Sequence, residues 1–323
     1  MSQLRQLRLP LAILVIVIAA AGMLLVVRHR SQPLGEVHFI DAKEGTSDVA
    51  VASDGRLVAE FTAGSRTVVV RGPQRRFAET LLPGVDIPTD AWVRVLPEPW
   101  DPSLRQSDWF AAWYQEATDW SRDDVLAVAF EYINGAPDFY DDHGVRYRGD
   151  ANFGPLSGDG RTRDIGGDFY DYLGVDWTFP AGTSKRANPD EARNVDCSGF
   201  LRLVYGYRMG IGLKFVDGPA GDLPRYANSI GRDGPGNLLA GDQSAARAYL
   251  GRLRPGDLVF FDTDGDDNWN HSGIYVGVDS RGDYRFISSR GTANGPTIAD
   301  LGGESLLNGG GRYAAGFTGI RRL

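Results

Sequence analysis

The 323-residue chain contains one cysteine, Cys197, in the stretch DCSGFLRLVYGYRMG. A lone thiol forms no internal disulfide, so it is either a small buried apolar group or a nucleophile. Downstream, Phe200, Val204 and Tyr207 recur on one helical face, with Leu201 and Leu203 beside it and Gly210 as a stop. This spacing predicts a helix with Cys197 at its N-terminus. There, free backbone N–H groups and the positive end of the helix dipole favour a thiolate. Asp196 and Ser198 suit capping, and Gly199 would let a substrate or a neighbouring strand come close.

A nucleophilic cysteine needs a base within hydrogen-bond reach. The chain has four histidines: His29, His38, His143 and His271. Only His271 opens a clear strand pattern, HSGIYVGV. Ser272, Ile274, Val276 and Val278 form its apolar face. His271, Gly273, Tyr275 and Gly277 form an open face, the expected dock for the cysteine helix. The strand LRPGDLVFFD precedes it and DYRFISS follows the connection SRG. Antiparallel pairing would place Ser288 and Ser289 beside His271, where a hydroxyl could fix the imidazole tautomer.

Positioning these groups requires a folded domain, and the rest of the chain divides around it. Residues 1–8 read as a cytoplasmic tail. Residues 9–27, LPLAILVIVIAAAGMLLVV, are uncharged and long enough for a transmembrane signal anchor. A cleaved signal peptide is the rival reading, but the apolar run continues past AAAG. Residues 28–35 form a linker. Residues 36–100 carry five short strand-like runs, EVHFI, DVAVA, RLVAEF, RTVVVRG and WVRVLP, which predict a small all-β module. It shows no catalytic cluster and reads as a spacer or as a platform for a wall or protein partner. A helix is expected from SRDDVLAVAFEYINGAP, capped by Ser121, with Val125, Val128, Ala129 and Tyr132 on one face. Residues 135–195, rich in Gly, Asp and Tyr, read as an insertion.

Residues 31–323 hold 30 basic against 42 acidic side chains, which excludes a nucleic-acid footprint. The acidic run DTDGDDNWN, residues 262–270, lacks Gly at the sixth and Glu at the twelfth position of an EF-hand loop. It reads as a solvated turn that could raise the pKa of His271, and no metal or other cofactor is expected.

The elements DCSGFLRLVYGYRMGI, LPR, LRPGDLVFFD and NHSGIYVG, in this order, resemble the NlpC/p60 family of papain-like cysteine peptidases. The resemblance spans roughly residues 120–323. It implies an α+β fold in which the cysteine helix packs on an antiparallel sheet, filling residues 101–323 with insertions at 135–195 and 214–250. It also implies Cys197 as nucleophile and His271 as general base. The third polar position is Ser288, with Asn294 as a possible substitute. Asp196, Ser198 and Arg290 are expected around the substrate. The function implied is that of an exported, membrane-anchored peptidase acting on peptidoglycan stem peptides, with its C-terminal domains extracellular. A catalytically silent module that binds wall or regulates wall enzymes is the alternative.

Overall fold

The computed structural model describes residues 37–41, 47–52, 54–158, 160–216 and 221–323. The apolar run 9–27 lies outside these. Among the described residues, no helix is long and apolar enough to cross a membrane.

The five strand-like runs form an antiparallel meander: β1 (Val37–Asp41), β2 (Ser47–Ala52), β3 (Leu57–Thr62), β4 (Thr67–Phe77) and β5 (Ile87–Val95). One face buries Phe61, Val68 and Val70 against Trp100 and against Phe110 and Tyr114 of α1 (Phe110–Ala117). Helix α2 (Val125–Phe130) is shorter than its sequence pattern suggested. Its cap is Asp124, whose carboxylate accepts the Ala127 N–H at 2.9 Å, not Ser121. Asp124 is the better cap because it also accepts Val93 N–H and both terminal nitrogens of Arg75.

The β-meander is fused to the rest of the molecule. Phe77, Ile87 and Val93 share one core with Phe200, Leu203 and Ile274. Arg66 and Thr67 both donate backbone N–H groups to the Leu323 carbonyl, at 2.8 and 2.7 Å.

Between 135 and 195 the chain forms short elements: β6 (Phe139–Tyr140), β7 (Arg146–Arg148), α3 (Phe169–Leu173), β8 (Trp177–Thr178) and β9 (Ser184–Lys185). Helix α4 (Cys197–Leu201) follows and continues as a wider, π-type helix over Arg202–Arg208. Next come α5 (Ala227–Asp233), β10 (Asn237–Ala240), α6 (Gln243–Tyr249), β11 (Leu258–Phe261), β12 (His271–Val278), β13 (Tyr284–Arg290) and β14 (Gly295–Thr297). The chain closes with α7 (Arg312–Gly316) and β15 (Phe317–Arg322). These strands make a six-stranded antiparallel sheet in the order β10-β15-β11-β12-β13-β14.

Helix α4 docks on the face of the sheet carrying Leu258, Phe260, Ile274, Val276 and Ile287, where Phe200 and Leu201 are fully buried. Each such side chain contributes about 1.5–3 kcal/mol of burial. This is the apolar face of β12, not the glycine-bearing face expected from the sequence. The glycine-bearing face is filled instead by Phe261, Phe286, Tyr313 and Phe317. Apolar area outweighs open space in choosing the dock.

Candidate active site

Cys197 is the first residue of α4. Asp196 caps the helix, its Oδ1 accepting the Gly199 N–H at 2.7 Å and the Ser198 hydroxyl at 3.0 Å. Gly199 is required by a close approach: a Cβ there would sit 2.4 Å from the Gly167 carbonyl oxygen. The helix tip therefore lies against the backbone of the 135–195 insertion.

The sulfur lines a cavity of about 640 Å³. Both insertions wall it, through Ile165, Tyr170 and Lys185 on one side and Phe215, Val216 and Tyr226 on the other. Cys197 is only 8 % exposed, and burial with the neighbouring Asp196 charge pushes its thiol up to about 12. The resting group is a thiol, whereas the helix tip alone favours a thiolate. The helix dipole acts only through the first turn, and desolvation of the buried sulfur outweighs it. The sulfur's hydrogen bond goes to the Asn270 carbonyl, at 4.0 Å.

Asn270 immediately precedes His271, and Trp269 pins both. Its indole is buried between Phe260 and the Arg232 guanidinium, and it leaves no room for a side chain at Gly231 or Gly319. His271 Nε2 lies 3.1 Å from Ser288 Oγ, the pairing expected from the strand order. Phe261 and Tyr313 pack against the imidazole with tilted rings, their centroids 5.8 and 4.9 Å away. Burial foremost, then the Arg290 and Arg312 charges, pull the imidazole down to about 3. The acidic run before it does not raise it. The Asp262 carboxylate is instead turned inward, accepting the N–H groups of Asp264, Gly265, Asp266 and Asp267.

Three residues expected around the substrate are engaged within the protein. Asp196 is buried and ion-paired with Arg225 at 2.6 Å, so its oxygens are taken up by the cap and this pair. Ser198 accepts from Arg225 Nη1 at 2.8 Å. Both still border the cavity, as structural groups. Arg290 is 2 % exposed and points behind the site. Its Nε donates to Ser288 Oγ at 2.9 Å, and its terminal nitrogens donate to the carbonyls of Thr297, Ala299, Leu301 and Gly303 and to Ser305 Oγ. It positions Ser288 and touches no ligand space. Asn294 is no substitute for Ser288: its amide bonds Asn152 and the Phe153 N–H.

Tyr313 is the residue the sequence did not reveal. It sits in a Gly-rich segment without periodicity, yet its ring lies between the imidazole and the Arg290 guanidinium, which is 4.9 Å from the ring centroid. The proximity of Cys197 adds to the rise in its phenol pKa, behind the larger effect of burial.

Imidazole and serine thus meet on the antiparallel sheet, and the thiol lines a groove beside Asn270, the residue before the imidazole. Residues 178–305 match the family model described as the NlpC/P60 family. This segment belongs to the NlpC/P60 family. Such domains are of cell-wall peptidase type, generally cysteine hydrolases. Among solved structures, a NlpC/P60 family protein from Bacillus cereus ATCC 10987 matches at 17 % identity, covering 88 % of this chain and 78 % of that one, with a TM-score of 0.27. No curated protein matches the chain. The NlpC/P60 segment holds Cys197, His271, Ser288 and Arg290, while Tyr313 and most of the 135–195 insertion lie outside it.

Proposed function

We propose that the protein is a cysteine peptidase that hydrolyses amide bonds in peptidoglycan stem peptides. The observation that carries this reading is the only thiol of the chain, at a capped helix tip in an open groove, hydrogen-bonded to the residue next to His271. In the productive tautomer, His271 Nε2–H donates to Ser288 Oγ, which also accepts from Arg290. This leaves the Nδ1 lone pair as the base. The imidazole takes the thiol proton and the sulfur attacks the amide carbonyl. The N–H of Cys197, which lacks an intrahelical acceptor at the first helical position, stabilises the oxyanion. His271 then protonates the leaving amine, and water releases the acyl group.

The resting pair is un-ionised, so proton transfer awaits a substrate that closes the groove and redirects the thiol from Asn270. The apolar run 9–27 serves as a membrane anchor in this reading and leaves the C-terminal domains on the outer side, facing the wall. A second reading, a wall-binding module without turnover, is favoured by one observation: the neutral pair with a serine as its third member. Mass spectrometry of purified wall after incubation with the full-length protein separates the two. New peptide fragments that disappear with Cys197→Ala support the peptidase. Wall binding without fragments supports the module.

A further inference from the structure

Three buried serine hydroxyls around the site are partnered, and a fourth is not. Ser288 bonds His271 and Arg290, Ser289 donates to the Val195 carbonyl at 2.6 Å, and Ser198 bonds Asp196 and Arg225. Ser272 has no solvent exposure, and its hydroxyl has no hydrogen-bond partner among the described residues. A buried polar group left in this state costs about 1–3 kcal/mol, so its place calls for a physical reason.

Its surroundings supply one. Ser272 follows His271 in β12, lies opposite Phe260 and shares the strand face of Ile274 and Val276, on which α4 rests. The Cys197 sulfur reaches the Asn270 carbonyl two residues before Ser272 on this strand, and Ser272 favours the thiolate against the effect of burial. In the resting state the sulfur carries a proton, directs it to the Asn270 carbonyl and is a poor acceptor. A thiolate is a strong acceptor, and donors aimed at it become charge-assisted.

We propose that Ser272 is a further catalytic residue, whose buried hydroxyl takes the Cys197 sulfur as its acceptor when the thiol proton leaves. The proton passes from sulfur to the His271 imidazole, while Ser272 keeps its own proton and gains the partner it lacks at rest. This role rests on Cys197 being the nucleophile. It also explains a hydroxyl on the apolar face of β12, where the strand pattern calls for Val or Ile.

The test is alkylation of the single thiol in the full-length protein by iodoacetamide, read by intact mass between about pH 6 and 11. Removing one charge-assisted donor by Ser272→Ala is expected to slow alkylation about tenfold throughout this range, the change in thiolate fraction that about one pKa unit makes. The variant's thermal midpoint stays equal or rises, since an orphaned hydroxyl has gone, and Ser272→Thr follows the wild-type curve. If Ser272→Ala does not fold, Ser272→Gly makes the same deletion. A folded deletion variant that alkylates along the wild-type curve overturns the proposal, as does a threonine variant that behaves like the deletion. The readout needs no peptide substrate: a wild type that releases nothing from wall would sink the peptidase reading and leave these curves unchanged.

Discussion

The neutral imidazole of His271 has a consequence for stability. The unfolded chain carries a histidine with the ordinary value of 6.5, while the folded site holds it down to about 3. Below pH 6.5 the unfolded state therefore binds a proton that the folded state refuses. The stability gained from the neutral ring is complete above that pH and drains away as pH falls toward 3. At pH 4 the unfolded imidazole is almost fully charged and the folded one almost fully neutral. The linked loss is about 3 kcal/mol relative to neutral pH. Carboxylates titrate in the same range, so the comparison is with His271→Gln, which keeps a polar side chain of similar size and has no proton to bind. Urea unfolding of both proteins at neutral pH and at pH 4 gives two pH-induced losses. The wild type is expected to lose about 3 kcal/mol more than the variant. Equal losses would refute the reasoning, because the ring would then be accessible to protons in the folded state.

Arg290→Met removes the guanidinium that holds Ser288 and four backbone carbonyls, and is expected to cost about 3–5 kcal/mol in unfolding experiments. The same change takes a positive charge away from His271, so the ring resonances of a folded variant titrate at higher pH than in the wild type. Gly199→Ala drives a methyl group to 2.4 Å from a fixed carbonyl oxygen and is expected to cost about 1–3 kcal/mol and to displace the cysteine, read as lost alkylation rate and lower thermal midpoint. Asp196→Asn removes the closer of the two carboxylates on the buried Arg225 charge, Asp168 remaining at 3.6 Å, so stability falls by about 1–3 kcal/mol, whereas a substrate-contacting acid would have shown a selective rise in KM.

Much of this arrangement was legible in the residues. The strand runs have strong local signals, and consecutive antiparallel strands bring Ser288 and Ser289 to His271, of which the family resemblance singled out Ser288. The helix tip followed from periodicity and an acidic cap. What escaped was decided by tertiary context. Arg290 stands two residues after Ser288, and alternation places it on the same face of β13. Only the fold of residues 297–305 turns that face inward and surrounds the guanidinium with carbonyls. Asp196 looked free because its partner, Arg225, is 29 positions away. The docking face of β12 was misread because glycines suggested space, while the aromatics that fill it come from distant segments, Phe261 on β11 and Tyr313 on α7. The ionisation of Cys197 was misread because a helix tip favours the anion locally, and the burial that opposes it is a property of the assembled groove.

The central claim is that Cys197 carries the acyl group during turnover. Acid quenching of the full-length protein while it acts on wall peptides, followed by intact mass and peptide mapping, addresses it directly. A mass increase matching a stem-peptide acyl group, located on the peptide containing Cys197 and absent from Cys197→Ala, is the predicted result. Amide cleavage that persists in Cys197→Ala, with no adduct on the wild type, would contradict the claim.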